Sequence, residues 1–172
     1  MSVSQTLYLL RHAKAVPWHP GVIDFERQLA ERGVEHMRQL CSWVSDALVA
    51  PQRVLCSPSV RTRETLAPFL SAWQLTPEHV SYEAGIYEAS TGRLQSLVEE
   101  AFETDDRIMM VGHNPGFEHL AITVSSSADA RQIMKMPTGT LAVIEFPRGW
   151  RVDQGSGRLK HWLTRKHLSQ QT

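Results

Sequence analysis

The stretch LYLLRHAKA, residues 7–15, joins four apolar or aromatic residues directly to Arg11 and His12. An uninterrupted apolar run of this kind is typical of a buried strand, and the two polar residues stand where such a strand leaves its sheet. If the Arg-His pair stood alone, the simplest interpretation would be a histidine with a structural role and no part in binding or catalysis. The stretch therefore predicts the first strand of a sheet, and its functional meaning depends on what else the chain brings to the same place.

Two further segments pass from apolar to polar residues in the same way: VLCSPSVR, residues 54–61, and IMMVGHNPG, residues 108–116. In open α/β sheets, ligands bind at the carboxyl ends of the strands. Three such ends on adjacent parallel strands would bring two arginines and two histidines into one pocket. These residues are Arg11, His12, Arg61 and His113.

The order of the elements predicts the fold class. Apolar stretches of strand length alternate with longer segments of helical period, which is typical of an α/β fold. We predict a three-layer α/β/α sandwich with a largely parallel central sheet, formed as a single domain over residues 1–172. The predicted strands span residues 6–11, 53–56, 107–111 and 140–146.

Four helices are predicted around these strands. In the first helix, apolar residues recur at intervals of three and four and so lie on one face. They are Val34, Met37, Leu40, Cys41, Val44 and Leu48. A second such face comprises Leu94, Leu97, Val98 and Ala101. A third helix follows Pro58 and runs to about Leu70, with the Ser57 hydroxyl placed to cap its first turn. A fourth begins near Pro115.

The composition is that of an ordinary globular chain, with 42% hydrophobic and 21% charged residues. No window approaches the roughly 18 uninterrupted apolar residues of a membrane span. The N-terminal MSVSQTLYLL has neither a basic leader nor a small-residue cleavage site. With Cys41 and Cys56 as the only cysteines, neither a disulfide framework nor a four-thiolate zinc site is expected. These features predict a cytoplasmic protein with no membrane partner.

The charge is balanced overall but unevenly distributed. Residues 148–172 contain six Lys or Arg against Asp153 alone, whereas the rest of the chain has an excess of acidic residues. Such an asymmetry can indicate an anionic partner. A solvated and frayed basic tail over about residues 158–172 is the simpler interpretation, and we expect no nucleic-acid partner.

Two guanidinium groups beside two imidazoles are typical of a phosphate site. An Arg side chain presents a planar fork that matches phosphoryl oxygens, and it stays charged at any working pH. An imidazole among such cations is favoured in its neutral form, and a neutral ring nitrogen facing phosphorus can act as a nucleophile. Ser57, in the second segment, is the competing nucleophile.

Four segments together resemble a known family. LYLLRHAKA resembles the Arg-His-Gly signature of the histidine phosphatase superfamily, whose fold is phosphoglycerate mutase-like. CSPSVRTRETL, residues 56–66, is similar to its Ser-Pro-x-x-Arg-Ala-x-x-Thr segment, and VGHNPGFEHLA, residues 111–121, to its second-histidine segment. DFERQLAERG, residues 24–33, is similar to a stretch of the small SixA-type phosphohistidine phosphatases. The resemblance extends from residue 6 to about residue 146, in the family's order and spacing.

The resemblance implies a role for each of the four pocket residues. His12 would be the phosphorylated nucleophile, while Arg11, Arg61 and His113 would bind the phosphoryl group and stabilise its charge. This agrees with the chemistry, since phosphoryl transfer depends mainly on fixed donors around the transferred group. Ala13 stands where the wider superfamily has Gly, which predicts a backbone φ below zero after His12.

The general acid is the remaining role. Glu88, in the segment IYEAS, is similar to one version of the family's acidic residue, which protonates the leaving group. Asn114 stands where the acid-phosphatase branch has Asp, and an amide has no proton to give. The alternative for Glu88 is a carboxylate near the start of a helix at Ser90, pointing to water.

The sequence thus predicts a metal-independent phosphatase that works through a phosphohistidine intermediate and needs no cofactor. The other histidines are scattered without the spacing of metal ligands. A phosphohistidine-bearing protein is the expected substrate, with a small phosphorylated molecule as the alternative; a non-catalytic phosphate-binding module is the rival from another class. Arg63 is expected at the surface, and Trp18, His19 and Pro20 are expected either in a loop at the pocket rim or in a plain surface turn.

Overall fold

The protein is described by a computed structural model that covers residues 4–151 and 155–168. The strands are β1 (Ser4–Arg11), β2 (Arg53–Cys56), β3 (Val80–Tyr82), β4 (Arg107–Gly112), β5 (Leu141–Pro147) and β6 (Arg158–Leu163). The helices are α1 (Glu31–Ala47), α2 (Val60–Ala72), α3 (Thr91–Phe102), α4 (Gly116–Val124), α5 (Ser127–Ala130) and α6 (Arg165–Leu168). Short 3-10 turns lie at Asp24–Glu26, Pro77–His79 and Ala84–Ile86. No helix in this part of the chain is long and apolar enough to cross a bilayer.

The described strands share one sheet, in the order β3-β2-β4-β1-β5-β6. The central strands β2, β4 and β1 are adjacent and parallel, and Met110 of β4 pairs with Leu9 on one side and with Leu55 on the other. β3 extends the parallel part, whereas β5 and β6 are antiparallel to their neighbours. The three strand ends predicted to carry the site therefore meet at one edge of the sheet.

The sheet separates two apolar cores, as a three-layer sandwich requires. Leu7 and Leu9 of β1 belong to the core under α3 and α4. Tyr8 and Leu10 belong to the core under α1 and α2. All four are buried, and burying one such side chain stabilises the fold by roughly 1.5–3 kcal/mol. Packing on both faces thus holds β1 in place and fixes the position at which it ends.

The four predicted strands are confirmed with small shifts at their ends, but two strands were not predicted. β3 has only three residues, none of them buried, so it leaves no apolar run to recognise. β6 lies within the stretch predicted to be a frayed basic tail. That prediction is wrong for these residues, because β6 pairs with β5 and Lys160 lies 3.6 Å from Glu145. Residues 169–172 of the predicted tail, and Asp153, lie outside the described residues.

The predicted helices are present, with two corrections. Val34 was placed on the buried face of α1 but is 45% exposed, and Gly33 and His36 are buried instead. Ser57 was predicted to cap α2, but the residue at the N-cap is Ser59, and the Ser57 hydroxyl is bonded elsewhere. The fourth helix begins directly after Pro115, as predicted.

Candidate active site

A pocket of about 330 Å³ lies at the carboxyl ends of β1 and β4 and beside the start of α2. It is lined by Arg11, His12, Lys14, Ala15, Arg27, Arg61, His113, Asn114 and Thr138. The structure therefore brings together the two arginines and two histidines that the sequence placed at strand ends. Lys14 and Arg27 add positive charge that the sequence analysis did not assign to the site.

Backbone bonds on both sides hold His12 at the end of β1. Its N–H donates to the Gly112 carbonyl at 2.9 Å, and its own carbonyl accepts from the Gly139 N–H at 2.9 Å. The imidazole Nδ1 lies 2.8 Å from the Ala13 carbonyl oxygen. A carbonyl oxygen can only accept, so Nδ1 carries the proton and Nε2 keeps its lone pair. The backbone thus sets the tautomer of His12 that a nucleophile at Nε2 requires.

The surroundings of His12 also favour its neutral form. The residue is only 8% exposed. Burial is the main cause that lowers its pKa to about 4; the bond to Ala13 acts in the opposite direction, and the charges of Arg61 and Arg11 lower it further. At neutral pH the free enzyme therefore holds His12 as an uncharged imidazole.

His113 faces His12 at a ring-centroid distance of 5.3 Å. Its Nε2 lies 2.7 Å from the hydroxyl oxygen of Ser57, which is completely buried. If that hydroxyl donates, the proton of neutral His113 resides on Nδ1, a buried atom with no hydrogen-bond partner among residues 4–151 and 155–168. Burial, followed by the charges of His12 and Arg61, lowers the pKa of His113 to about 3. His113 can therefore present one N–H donor to an anion while remaining neutral.

Arg11 reaches the pocket from the last position of β1. Its Nη1 donates to the Met136 carbonyl at 2.6 Å. Burial lowers the pKa of Arg11, and the nearby Glu118 carboxylate partly opposes this effect. Its Nε is buried and has no partner within the described part of the chain. One edge of the guanidinium is thus anchored to protein, whereas Nε makes no hydrogen bond in the described structure.

Arg61 is held in a similar way by a residue of the loop before α1. Its Nη1 donates to the main-chain carbonyl of Asp24 at 2.6 Å, and its Nη2 to the Asp24 carboxylate at 2.9 Å. Its Nε is also buried without a partner in the described residues. Asp24 is the first residue of DFERQLAERG, and no role was predicted for it from the sequence.

Comparisons with known proteins agree with this geometry. The sequence pattern of the histidine phosphatase superfamily (branch 1) matches residues 7–137, which is more than half of the chain. The chain belongs to this superfamily. It is accordingly a phosphatase, as the clustered histidines and arginines indicate.

Similarity to individual sequences and solved structures shows which branch of the superfamily this phosphatase resembles. An uncharacterized protein of Mycobacterium tuberculosis is 30% identical over 147 residues, covering 82% of this chain and 89% of its own length. The SixA protein of Agrobacterium tumefaciens, a candidate phosphohistidine phosphatase, is 30% identical with a TM-score of 0.78, over 93% of this chain and 97% of its own. A phosphoglycerate mutase from Bacillus anthracis shares the fold at 13% identity and a TM-score of 0.69, with 98% and 96% covered. The phosphatase is therefore of the SixA type, on a phosphoglycerate mutase-like fold.

The turn after His12 has an ordinary backbone in this phosphatase. Ala13 is buried and its φ is not positive, which confirms the prediction made from the Gly-to-Ala departure. Its N–H donates to the Thr65 hydroxyl of α2 at 3.0 Å. Gly33 of α1 packs so closely that a Cβ there would collide with the Lys14 carbonyl. Two helices therefore fix the turn, and neither contact was predicted from the sequence.

The structure does not place Glu88 in the pocket wall. Glu88 is exposed, has a φ of 52°, and follows Tyr87, whose ring meets the His113 ring edge-on at 5.3 Å. Asn114 does line the pocket, but its amide donates to the Met136 carbonyl at 3.0 Å. The carboxyl group nominated as general acid is thus not among the groups that line the pocket.

Arg63 and Trp18, which were predicted at the surface or near the pocket, are exposed. Arg63 is exposed and stacks over the Tyr82 ring at 4.6 Å, as expected for a surface arginine. Trp18 is exposed in the loop that follows Ala15, a residue of the pocket wall. Within residues 4–151 and 155–168, no three His, Cys, Asp or Glu side chains are grouped as ligands of a metal ion.

Proposed function

We propose that this phosphatase removes the phosphoryl group from phosphohistidine on a protein, through a phosphohistidine intermediate at His12 and without a metal ion. The observation that carries the proposal is the bond from His12 Nδ1 to the Ala13 carbonyl, which leaves Nε2 as a neutral nucleophile in a pocket lined by arginines. The SixA protein of Agrobacterium tumefaciens, a candidate phosphohistidine phosphatase at 30% identity, supports the same assignment.

In the first step, His12 Nε2 attacks phosphorus and the bond from phosphorus to the substrate nitrogen breaks. The leaving imidazole nitrogen takes a proton from solvent water, and the phosphoryl group becomes bonded to Nε2. Arg11, Arg61 and His113 donate to the three equatorial oxygens, on which charge is concentrated during transfer. Because these donors are held by protein contacts beforehand, little reorganisation is needed when the charge develops.

In the second step, water attacks the phosphorylated His12. The bond from phosphorus to Nε2 breaks, inorganic phosphate leaves, and a proton of the water passes to solvent or to Glu88. His12 returns to the neutral form with its proton on Nδ1. The low pKa of His12, about 4, makes its neutral imidazole a good leaving group when the bond from phosphorus to Nε2 breaks.

The exposed position of Glu88 supports phosphohistidine over an alkyl phosphate as substrate. An alkoxide departs poorly unless an acid protonates it, whereas an imidazole nitrogen with a pKa of roughly 6.5 can take its proton near neutral pH. We assign Glu88 as the general acid for oxygen leaving groups, with only a small role when imidazole departs.

A small-molecule phosphomonoesterase is the second candidate, and one observation favours it. Lys14 and Arg27 line the pocket in addition to the two arginines proposed to bind the phosphoryl group. A metabolite with a second anionic group next to its phosphate would find a countercharge there.

A substrate comparison tests the proposal. Values of kcat/KM are measured for a phosphohistidine-bearing protein and for a panel of phosphorylated metabolites, with His12→Asn as the inactive control. The proposal predicts the highest kcat/KM for the phosphoprotein. A higher value for one metabolite would favour the second candidate, and turnover by His12→Asn would exclude His12 as nucleophile.

A further inference from the structure

We infer that Asp24 is a positioning residue that orients Arg61, so that Arg61 meets the phosphoryl group through its Nε edge. The inference rests on the proposed role of Arg61 in phosphoryl binding. It adds to that proposal a residue outside the pocket wall, together with the edge of the Arg61 guanidinium that faces the substrate.

The first observation is the two-point contact between these residues. Arg61 donates from Nη1 to the Asp24 carbonyl and from Nη2 to the Asp24 carboxylate, at 2.6 and 2.9 Å. The Arg61 side chain is only 6% exposed, whereas the Asp24 side chain is 41% exposed. A planar guanidinium bonded at both Nη atoms cannot turn about its axis without breaking one of them.

The second observation is that the Asp24 carboxylate is itself held on both oxygens. Arg27 Nε donates to Oδ1 at 2.9 Å, and the Tyr87 hydroxyl donates to Oδ2 at 2.8 Å. The Tyr87 ring also packs edge-on against Phe25 at 5.1 Å. The carboxylate therefore joins three segments that are distant in sequence: the 3-10 turn at Asp24–Glu26, helix α2, and the 3-10 turn at Ala84–Ile86 with the residue after it.

These contacts determine what Arg61 can offer a ligand. With Asp24 bonded to both Nη atoms, Arg61 Nε is the buried nitrogen left without a partner in the described chain. Arg61 also lines the pocket. A donor fixed in this way before substrate arrives is of the kind that stabilises charge developing in the transition state. Without Asp24, the same guanidinium could rotate and the Nε edge would lose its direction.

The chemistry of Asp24 argues against a role as general acid. Partial burial raises the pKa of this carboxyl group, but the hydrogen bond from Tyr87 and the charge of Arg61 outweigh that effect and lower it to about 2. An ionised carboxylate has no proton to give at neutral pH. Its action on the reaction must therefore pass through the groups it holds.

A double-mutant cycle between Asp24 and Arg61 tests this coupling. We expect Asp24→Ala to lower kcat/KM by up to about 10²-fold, because small misplacement of a catalytic group has effects of this size. In an Arg61→Ala background, Asp24→Ala should lower kcat/KM by a much smaller factor, because there is no guanidinium left to orient. Asp24→Asn, which keeps the shape of the side chain, provides a second variant.

Glu26→Ala and Glu26→Gln are matched controls, because Glu26 is an exposed acid in the same turn. Both control variants should leave activity unchanged.

Two further readouts separate positioning from other roles. The loss should be the same for p-nitrophenyl phosphate and for an alkyl phosphate, whereas loss of a general acid would affect the alkyl phosphate more. Competitive inhibition by inorganic phosphate should weaken in Asp24→Ala, and the double variant should bind phosphate no more weakly than Arg61→Ala does. The inference would be overturned if Asp24→Ala lowered kcat/KM by the same factor in the wild-type and Arg61→Ala backgrounds. It would also be overturned if kcat/KM fell only for the alkyl phosphate.

The inference can fail independently of the proposed function. If the wild-type protein turns over phosphohistidine but the Asp24 variants retain full activity, only the positioning role is lost. If the wild-type protein prefers another phosphorylated substrate, the cycle is carried out on that substrate and still decides the role of Asp24. Circular dichroism of every variant identifies any that has unfolded, and the cycle is then evaluated with Asp24→Asn.

Discussion

Replacement of Arg11 offers a quantitative test of phosphoryl binding by fixed donors. Arg11→Ala removes a guanidinium that lines the pocket and whose Nη1 is anchored to Met136. Loss of one fixed donor to developing charge costs about 3 kcal/mol, or roughly 10²-fold in rate. We therefore expect kcat/KM to fall at least about 10²-fold.

The same contacts indicate that this variant will fold. The Met136 carbonyl keeps a second donor, because Asn114 Nδ2 lies 3.0 Å from it. Arg11→Ala therefore removes one hydrogen bond, worth about 1 kcal/mol, and the Met136 carbonyl oxygen still has a hydrogen-bond donor. Arg11→Lys should restore activity only in part, since one ammonium cannot reproduce a planar fork that binds Met136 and phosphate together.

The assay is initial-rate hydrolysis of p-nitrophenyl phosphate and of a phosphohistidine-bearing protein, with the melting temperature measured in parallel. Arg63→Ala is the matched control, because it removes an exposed guanidinium two residues from Arg61 and should leave kcat/KM unchanged. Full activity in a folded Arg11→Ala protein would refute the reasoning. Full rescue by Lys would show that charge alone suffices.

Three further predictions follow from the site and its surroundings. Because the folded-state pKa values of His12, His36 and His113 are lowered to about 4, 4 and 3 from 6.5, the unfolded chain binds more protons below pH 6.5. The free energy of unfolding, measured by urea titration, should therefore change little just above that pH and fall as the pH is lowered toward 4; a rise would contradict the buried neutral histidines. Glu88→Gln should impair hydrolysis of an alkyl phosphate much more than that of phosphohistidine, and equal losses would remove the leaving-group explanation. Treatment with EDTA should leave activity unchanged, because arginines supply the positive charge, whereas inactivation reversed by Zn²⁺ or Mg²⁺ would require a metal.

The sequence was most informative where local pattern and chemistry coincide. The apolar run before Arg11 predicted β1, and polar residues after three such runs predicted which side chains would meet. Strand direction was harder to predict: residues 140–146 look like any apolar strand, and only the pairing with β1 makes β5 antiparallel. β6 was missed because its half-exposed, basic residues resemble a solvated tail.

The contacts that hold the site in place could not be predicted, because they join residues far apart in the chain. Ser57 was assigned to a helix cap from its place before Pro58, but the fold brings its hydroxyl to His113 instead. The resemblance included Asp24, yet its bonds to Arg61 and Tyr87 span 37 and 63 residues. Such partners depend on how the loops pack over the strand ends, which residue type and spacing do not specify.

The most direct test of the central claim is to trap the phosphoenzyme. Rapid quenching of the wild-type protein with radiolabelled substrate should yield an acid-labile, base-stable adduct, located by peptide mapping on His12. Ser57→Ala should still form it, and His12→Asn should not. An acid-stable adduct on Ser57, or turnover by His12→Asn, would contradict the account.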